Sequence, residues 1–230
     1  MLLNDVAYFY GVMFGDGFIG RNKDNSVYFM LKTIDKDFVE FWRNCGERLY
    51  GKAYSVYTQK PERPNRNIAY VSKIYGGDKV KDFLQSTKDR TEIPNFIFDG
   101  DEVCKKSFIQ GLMDSEGYVT LSLSPVKQSH IGLYFSCTSK WTKDFWYIIK
   151  NLGIEVSDLY IRKMKDGRKD VYNFKINILD YVNSGLSFNI LRKKRRLEFI
   201  TKILNDYTHN YKGENYTQPN RRYSLNSIEK

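Results

Sequence analysis

Residues 9–20 read FYGVMFGDGFIG, and residues 109–120 read IQGLMDSEGYVT. At an offset of 100 positions the two stretches share two glycines, a methionine and an acidic residue. The matched pairs are Gly11 and Gly111, Met13 and Met113, Asp16 and Glu116, and Gly17 and Gly117. A second pair of similar segments follows, VYFMLKTIDKDFVEFW (27–42) and LYFSCTSKWTKDFWYI (133–148). We therefore predict two copies of one unit, with a first repeat over 1–98, a second repeat over 99–207 and a basic, polar tail over 208–230.

A helical pattern precedes each motif. Asn4 or Asp5 is the candidate N-cap of the first helix, which we expect to run to about Phe14. Asp101 is the candidate N-cap of the second helix, which runs through Met113. The sequence therefore predicts that each motif lies at the C-terminal end of a helix.

Small residues recur four positions apart in both helices, at Gly11 and Gly15 and at Gly111 and Ser115. This spacing places each pair on one helix face. A glycine inside a helix costs about 1 kcal/mol relative to alanine, so matched glycines need a reason. Close packing of the two helix backbones is the simplest one.

The matched acids Asp16 and Glu116 lie at helix C-termini, where the helix dipole disfavours anions. If the helices pair through their small faces, the two carboxylates also approach and repel each other. Divalent cations between the acids, with helix-end carbonyls as further ligands, would resolve this conflict. The alternative is that each acid only ends its helix in a solvated turn before Gly17 or Gly117. The duplication of the motif favours the metal site.

After each acid the sequence changes to the alternation of β-strands. Residues 118–124 alternate apolar and polar side chains. The pattern is less regular in the first repeat, where residues 27, 29 and 31 are expected to face inward and Tyr28, Met30 and Lys32 outward. Helical segments near 35–48 and 141–152 provide the apolar cover. We therefore predict an α+β fold of two pseudo-symmetric αββαββα repeats. Each repeat has an antiparallel sheet with one dry face and one polar, basic face.

The charge balance indicates a polyanionic partner. The 230-residue chain carries 37 Lys and Arg against 27 Asp and Glu, a formal net charge of +10. An excess of this size in a globular chain is typical of nucleic-acid-binding proteins, and Tyr among Arg, Lys, Asn and Ser suits contact with phosphates and base edges. The outward-facing strand positions and their adjoining turns are therefore the candidate DNA contacts. They are Asn22, Tyr28, Met30 and Lys32 in the first repeat, and Thr120, Ser122, Ser124, Gln128, Tyr134, Ser136, Thr138, Arg162, Asn173 and Lys175 in the second.

Several classes of protein are excluded by composition. Cys45, Cys104 and Cys137 are odd in number and far apart, which excludes a disulfide framework and a CxxC zinc site. They favour an intracellular, reducing compartment such as the cytoplasm or an organelle matrix. No apolar run is long enough for a membrane helix, and the N-terminus lacks the features of a signal peptide.

FYGVMFGDG and IQGLMDSEG resemble the two motifs of the LAGLIDADG homing endonucleases, in their single-chain form. The resemblance covers nearly the whole chain. It implies that the motif helices pack as a pseudo-twofold core and that the two sheets form a saddle over a long, asymmetric DNA site. It also implies that Asp16 and Glu116 are the metal-binding catalytic acids and that the backbone carbonyls of Gly15 and Ser115 face the metals. Asp114 occupies a motif position that does not bind metal in the family.

The resemblance implies an activity as well. Enzymes of the family hydrolyse both DNA strands with two or three Mg²⁺ ions at the helix ends and leave short 3′ overhangs. We therefore expect a monomeric, Mg²⁺-dependent endonuclease that acts in intron homing.

Basic residues beside the acids are also implied by the resemblance, because they position water or stabilise the charged transition state. The candidates are Lys88 and Arg90 in KDRTEIP (88–94), and Arg192, Lys193 and Lys194 in RKKRR (192–196). The five-residue basic run has an alternative interpretation, in which it begins a helix that contacts phosphates.

Two other functions are compatible with the same fold. One is an intron maturase that binds structured RNA, and the other is a DNA-binding regulator without catalysis. Neither needs a pair of metal-binding acids, so the presence of both Asp16 and Glu116 favours the nuclease. Double-stranded DNA is therefore the expected partner, with intron RNA as the alternative.

Overall fold

The motif helices of the two repeats run side by side through the centre of the computed structural model, which describes residues 2–61, 67–122, 130–165 and 167–210. Within these ranges each repeat contains four helices and four strands. The first repeat contains α1 (Leu2–Phe14), β1 (Gly17–Arg21), β2 (Val27–Thr33), α2 (Lys36–Tyr50), β3 (Tyr57–Gln59), β4 (Ala69–Ile74), α3 (Asp78–Ser86) and α4 (Asn95–Asp99). The second contains α5 (Glu102–Glu116), β5 (Gly117–Ser122), β6 (His130–Cys137), α6 (Thr142–Asn151), β7 (Tyr160–Arg162), β8 (Val171–Ile176), α7 (Ile178–Asn183) and α8 (Leu191–Asn210).

The two sheets have the same connectivity. Their strand orders are β1-β2-β4-β3 and β5-β6-β8-β7, and all neighbouring strands pair antiparallel. This confirms the predicted α+β fold of two repeats. Each repeat contains one helix more than the predicted αββαββα pattern. No helix in the described residues is long and apolar enough to cross a membrane.

Strand register separates an inner from an outer face in both sheets. Phe29 and Leu31 in β2 are fully buried, as are Leu133 and Phe135 in β6. The residues between them, such as Tyr134, point to the opposite face and are partly exposed. The period-two alternation therefore assigned the inner faces correctly.

Aromatic side chains from both repeats form one core. Phe9 stacks on Trp42 at a centroid distance of 5.4 Å in the first repeat, and Phe135 lies 4.5 Å from Phe145 in the second. Phe14 on α1 joins the two, because its ring lies 5.4 Å from that of Trp141 in the second repeat. A single hydrophobic core thus fixes one repeat against the other.

The helix starts agree only in part with the prediction. Asp101 caps α5, since its Oδ1 accepts a hydrogen bond from the Cys104 amide at 2.8 Å. The first helix begins earlier than expected, at Leu2, so the prediction of a cap at Asn4 or Asp5 is wrong. The Asp5 carboxylate instead accepts two hydrogen bonds from Arg48, each 2.7 Å long.

The predicted repeat boundaries fall inside helices. Helix α4 spans the predicted division between residues 98 and 99, and the chain passes to the second repeat at Gly100. Helix α8 extends to Asn210, into the segment 208–230 that was predicted as the tail. Residues 211–230 lie outside the described residues.

Candidate active site and DNA-facing surface

Helices α1 and α5 meet through their small residues. A Cβ atom built on Gly11 would lie 3.0 Å from the Gly111 Cα and would also overlap the Phe108 carbonyl oxygen. A Cβ built on Gly111 would lie 3.1 Å from the Gly11 Cα and would overlap the Tyr8 carbonyl oxygen. The two backbones are therefore in direct contact, as the matched glycines predict.

This contact continues to the C-terminal ends of the helices. A Cβ on Gly15 would overlap the Ser115 side chain and lie 3.3 Å from the Glu116 Cγ. Glu116 is the last residue of α5, and Asp16 follows the end of α1 by two positions. The two matched acids are therefore brought to the joined ends of the motif helices.

The electrostatics of the two acids reflect this proximity. Partial burial raises the pKa of Glu116 to about 7, and the negative charge of Asp16 contributes to the increase. Asp16 is exposed, but partial desolvation by the surrounding protein still raises the pKa of its carboxyl. Both groups are thus destabilised as anions in the protein alone.

A basic side chain is bound to the last carbonyls of each motif helix. Lys193 is buried, and its Nζ donates to the carbonyl oxygens of Met113, Asp114 and Ser115 at 3.3, 2.5 and 3.2 Å. The three donors of its ammonium group are matched by three acceptors. Burial lowers the pKa of Lys193 to about 8 despite the neighbouring carboxylates of Asp114 and Asp16.

Arg90 makes the equivalent contact in the first repeat. Its Nη2 donates to the carbonyl oxygens of Phe14 and Gly15, both at 3.3 Å. Its positive charge acts on Glu116 and favours the ionised form of that carboxyl, as does that of Lys193. One cation from each repeat therefore neutralises the negative end of its motif helix.

The other predicted basic residues lie elsewhere. Lys88 forms an exposed ion pair with Glu92 at 2.6 Å. Lys194 is exposed. Arg192 pairs across the repeats with Asp35, with an Nη2–Oδ2 distance of 3.0 Å. Of the five candidates, the structure brings only Arg90 and Lys193 to the helix ends.

Asp114 has a separate, structural position. It is fully buried and accepts hydrogen bonds from the Tyr8 hydroxyl and from the backbone and side-chain amides of Asn189, each at 2.9 Å. Burial nevertheless raises its pKa to about 6. Asp114 thus ties α5 to α1 and to the segment before α8.

The residues at the helix ends fit a divalent cation. Asp16 and Glu116 offer carboxylate oxygens, and the carbonyls of Gly15 and Ser115 already accept hydrogen bonds from cationic groups. Hard, oxygen-only ligands of this kind suit Mg²⁺. No group of three or more His, Cys, Asp or Glu occurs among the described residues, so any ion held here would be held by two acids and backbone oxygens.

Most of the predicted DNA contacts share the outer faces of the two sheets. On the first sheet, register places there Tyr28, Met30 and Lys32. On the second sheet it places there Thr120, Tyr134, Ser136, Arg162, Asn173 and Lys175. Of Ser122 the structure describes only the backbone, which pairs with His130 in the same ladder.

Two of the predicted contacts, Asn22 and Thr138, lie away from these faces. Asn22 lies in the β1–β2 turn, where its amide donates to the Ser26 and Tyr75 hydroxyls. Thr138 follows β6 and, with Arg90, lines a cavity of about 650 Å³ between the repeats. Ser124 and Gln128 lie outside the described residues.

The outer face of the first sheet is largely aromatic, rather than polar and basic as predicted. Phe18 is 52% exposed and lies opposite Met30 in the ladder. Tyr28 lies next to Tyr75, with centroids 5.4 Å apart, and Lys73 Nζ lies 4.4 Å from the Tyr28 centroid. The alternation of residues 69–74 could have identified Lys73 as a surface residue.

Comparison with known proteins gives several distant similarities. No protein-family model matches the chain. An uncharacterized protein of Methanocaldococcus jannaschii is 27% identical over 219 residues, which cover 88% of this chain and 73% of that protein. A probable translation initiation factor IF-2 of the same organism is 28% identical over 84% of this chain, but over only 16% of its own length. The alpha subunit of a ribonucleoside-diphosphate reductase from Bacillus subtilis is 21% identical, over 81% and 16% of the two chains.

Solved structures of several proteins share the fold. A variant of I-DmoI in complex with its target DNA and Mn has a TM-score of 0.55 at 15% identity, covering 80% of this chain and 95% of that one. The homing endonuclease I-WcaI, bound to its DNA recognition sequence, has a TM-score of 0.54 at 13% identity and 86% coverage of both chains. The LAGLIDADG meganuclease I-AabMI, bound to uncleaved DNA, has a TM-score of 0.52 at 12% identity, with 88% and 92% coverage. The chain therefore has the two-repeat α+β fold of the LAGLIDADG homing endonucleases, as the motif resemblance implies.

Proposed function

We propose that this chain is a site-specific DNA endonuclease that uses divalent cations to cut both strands of a long, asymmetric site. The observation that carries the proposal is the pair of acids at the joined ends of α1 and α5. Their carboxylates sit at the negative ends of two helix dipoles and raise each other's energy. Within the described part of the chain, no side chain forms a hydrogen bond or salt bridge with the carboxylate of Asp16 or Glu116. A bound cation would supply the missing positive partner.

The two outer sheet faces support DNA as the substrate. They present polar, basic and aromatic side chains on surfaces that belong to one rigid core, and the chain has a formal net charge of +10. The two faces differ residue by residue, which suits a target whose halves differ in sequence. The solved proteins of this fold described above are bound to DNA.

In the proposed reaction, the acids would bind the metal and the basic residues would stabilise negative charge. Asp16 and Glu116 would hold Mg²⁺ through their carboxylate oxygens, with the carbonyls of Gly15 and Ser115 beside them. A bound Mg²⁺ supplies a Lewis acid that stabilises charge on the phosphate and lowers the pKa of water. Arg90 keeps a permanent positive charge next to the acids, where negative charge develops during attack on phosphorus. Lys193 provides a positive charge at the equivalent place in the second repeat, but only below its lowered pKa of about 8. We also propose that the two cuts leave short 3′ overhangs.

The chain supplies both acids itself, so we propose that it acts as a monomer. Its similarity to 16% of the length of a translation factor and of a reductase supports a mobile unit that is inserted into unrelated proteins, as homing would produce. We also propose an intracellular location, because Cys45, Cys104 and Cys137 are free thiols, which suit a reducing compartment.

The experiment uses DNA selected for binding from a random library and cloned into a plasmid. We expect Mg²⁺-dependent linearisation by the purified chain. Asp16→Asn and Glu116→Gln should abolish it while leaving DNA affinity within a few-fold. Asp78→Asn is the matched control, because that exposed carboxylate pairs with Lys81 on α3, away from the two acids.

Two results would contradict the proposal. Cleavage retained in both Asp16→Asn and Glu116→Gln would exclude the assigned site. Tight binding of intron RNA without any nicking of DNA would support the maturase instead.

A further inference from the structure

Three consecutive residues after α3 have positive φ angles. Lys88, Asp89 and Arg90 have φ values of 43°, 57° and 66°. None is glycine, and L-residues avoid this region because Cβ comes too close to a carbonyl oxygen. Among the other described residues only Asn25 shares this property without being glycine. A strained turn of this length persists only where the surrounding structure holds it.

Thr87 is the residue that holds the turn. It is fully buried, and its hydroxyl donates to the Phe83 carbonyl at 2.7 Å while accepting from the Arg90 amide at 3.1 Å. Its carbonyl accepts from the amides of Thr91 and Glu92 at 2.9 and 3.1 Å. One buried threonine thus fixes both the end of α3 and the exit of the turn.

The turn delivers one side chain to the candidate active site. The Arg90 guanidinium reaches the carbonyls of Phe14 and Gly15, whereas Lys88 and Asp89 remain exposed. In the second repeat Lys193 reaches the equivalent carbonyls from the first turn of α8, which is a regular helix. The same contact is therefore made by a strained turn in one repeat and by an ordinary helix in the other.

We propose that the left-handed turn of residues 88–90 is the device that positions Arg90 on the end of α1, and that Thr87 is its positioning residue. Glycine could adopt the same backbone with less strain, but it has more conformational freedom. Non-glycine residues held by Thr87 therefore fix the guanidinium more firmly beside the acids. The catalytic consequence rests on the proposed function, whereas the placement of Arg90 does not.

Arg90 and Lys193 bind equivalent carbonyls of the two motif helices, so under the proposed function they would flank different scissile phosphates. Loss of the turn should therefore slow the cleavage of one DNA strand more than that of the other. We expect Thr87→Val and Arg90→Met each to slow cleavage of the same strand at least tenfold more than that of its complement. The double variant should be no slower than Arg90→Met alone, because Thr87 acts through Arg90. Thr201→Val, which removes a hydroxyl bonded to the Leu197 carbonyl in α8, is the control and should leave both rates unchanged.

Asp89→Gly tests the device without removing a buried contact. Because glycine relieves the positive φ of an exposed residue, Tm should not fall, while the affected strand should be cut more slowly. Equal slowing of both strands, or multiplicative effects in the double variant, would overturn the proposal.

Failure of the proposed function would be recognised separately, as absence of cleavage by the unmodified chain. The placement would then be tested by thermal unfolding alone. We expect the Tm losses of Thr87→Val and Arg90→Met to be less than additive, and those of Thr201→Val and Arg90→Met to be additive. Additive losses in the first pair would refute the coupling.

Discussion

Gly11 and Gly111 lie against each other across the pseudo-twofold axis, with space for no side-chain atom between their helices. A Cβ on either glycine would lie 3.0 or 3.1 Å from the other's Cα, and would overlap a carbonyl oxygen of the facing helix. Backbone atoms cannot move aside as a flexible side chain can. The position of each acid relative to the other is therefore set by this contact.

The first prediction concerns this contact. Gly111→Ala should lower the free energy of unfolding by about 1–3 kcal/mol or more, because the added methyl group overpacks a backbone-to-backbone interface. Urea denaturation measures the change. Ser107→Ala, on a half-buried part of α5, is the control and should change stability much less. An unchanged midpoint for Gly111→Ala would mean that the helices are not in such close contact.

The second prediction concerns stability and pH without metal. Glu116 has a pKa of about 7 in the folded chain against its usual 4.5, so the folded state binds this proton more tightly than the unfolded state. Stability should therefore fall as pH rises from about 4.5 to 7. Tm measured across this range should show the decrease, to which the raised pKa of Asp114 also contributes.

The variant Glu116→Gln distinguishes the contribution of Glu116 to this pH dependence from that of Asp114. The amide cannot ionise, so the variant should be more stable than the unmodified chain above pH 7 and should lose part of the pH dependence. A variant that is less stable at pH 8 would show that the Glu116 carboxylate is not destabilised in the fold.

The third prediction concerns competition between Mg²⁺ and protons. The cation needs ionised carboxylates, and Glu116 is largely protonated below a pKa of about 7. The increase in Tm at one fixed Mg²⁺ concentration should therefore be larger at pH 8 than at pH 6. Glu116→Gln should reduce this difference, and an equal increase at both pH values would argue against the acid as a ligand.

The fourth prediction concerns the salt dependence of DNA binding. Arg162 and Lys175 lie on the outer face of the second sheet. If either contacts a phosphate, substitution by alanine should reduce the slope of log K against log salt by about 1. Lys81→Ala, on α3 and paired with Asp78, removes one charge elsewhere and should leave the slope unchanged. Equal changes in all three variants would show only an effect of net charge.

The repeat and its alternation predicted the fold well, because both depend on local sequence. The matched glycines predicted the contact of α1 with α5, and the period-two pattern assigned Phe29 and Leu133 to the inner faces. The start of α1 was predicted wrongly, because Asp5 lies inside the helix and its carboxylate binds Arg48, a residue far along the chain. Contacts between residues so far apart leave no pattern in a single sequence.

The sequence identified the two acids of the candidate site, but it did not distinguish which basic residues lie beside them. The motif positions identified Asp16 and Glu116, whereas three adjacent basic residues near 193 were equivalent by sequence. Only the rotation of α8 about its axis places Lys193 inward and leaves Lys194 exposed. Whether Lys88 or Arg90 reaches the helix end depends on the positive φ angles of this turn, which the types of these residues do not predict.

The separation of inner and outer positions along each strand has an evolutionary consequence. Every second residue of a strand packs into the core, and the residues between them lie on the outer face of the sheet. Under the proposed function, a substitution such as one at Lys175 would alter DNA recognition while Phe174 and Ile176 continue to hold the sheet in place. A lineage built this way could then change the sequence it recognises one half-site at a time while its buried core stays the same.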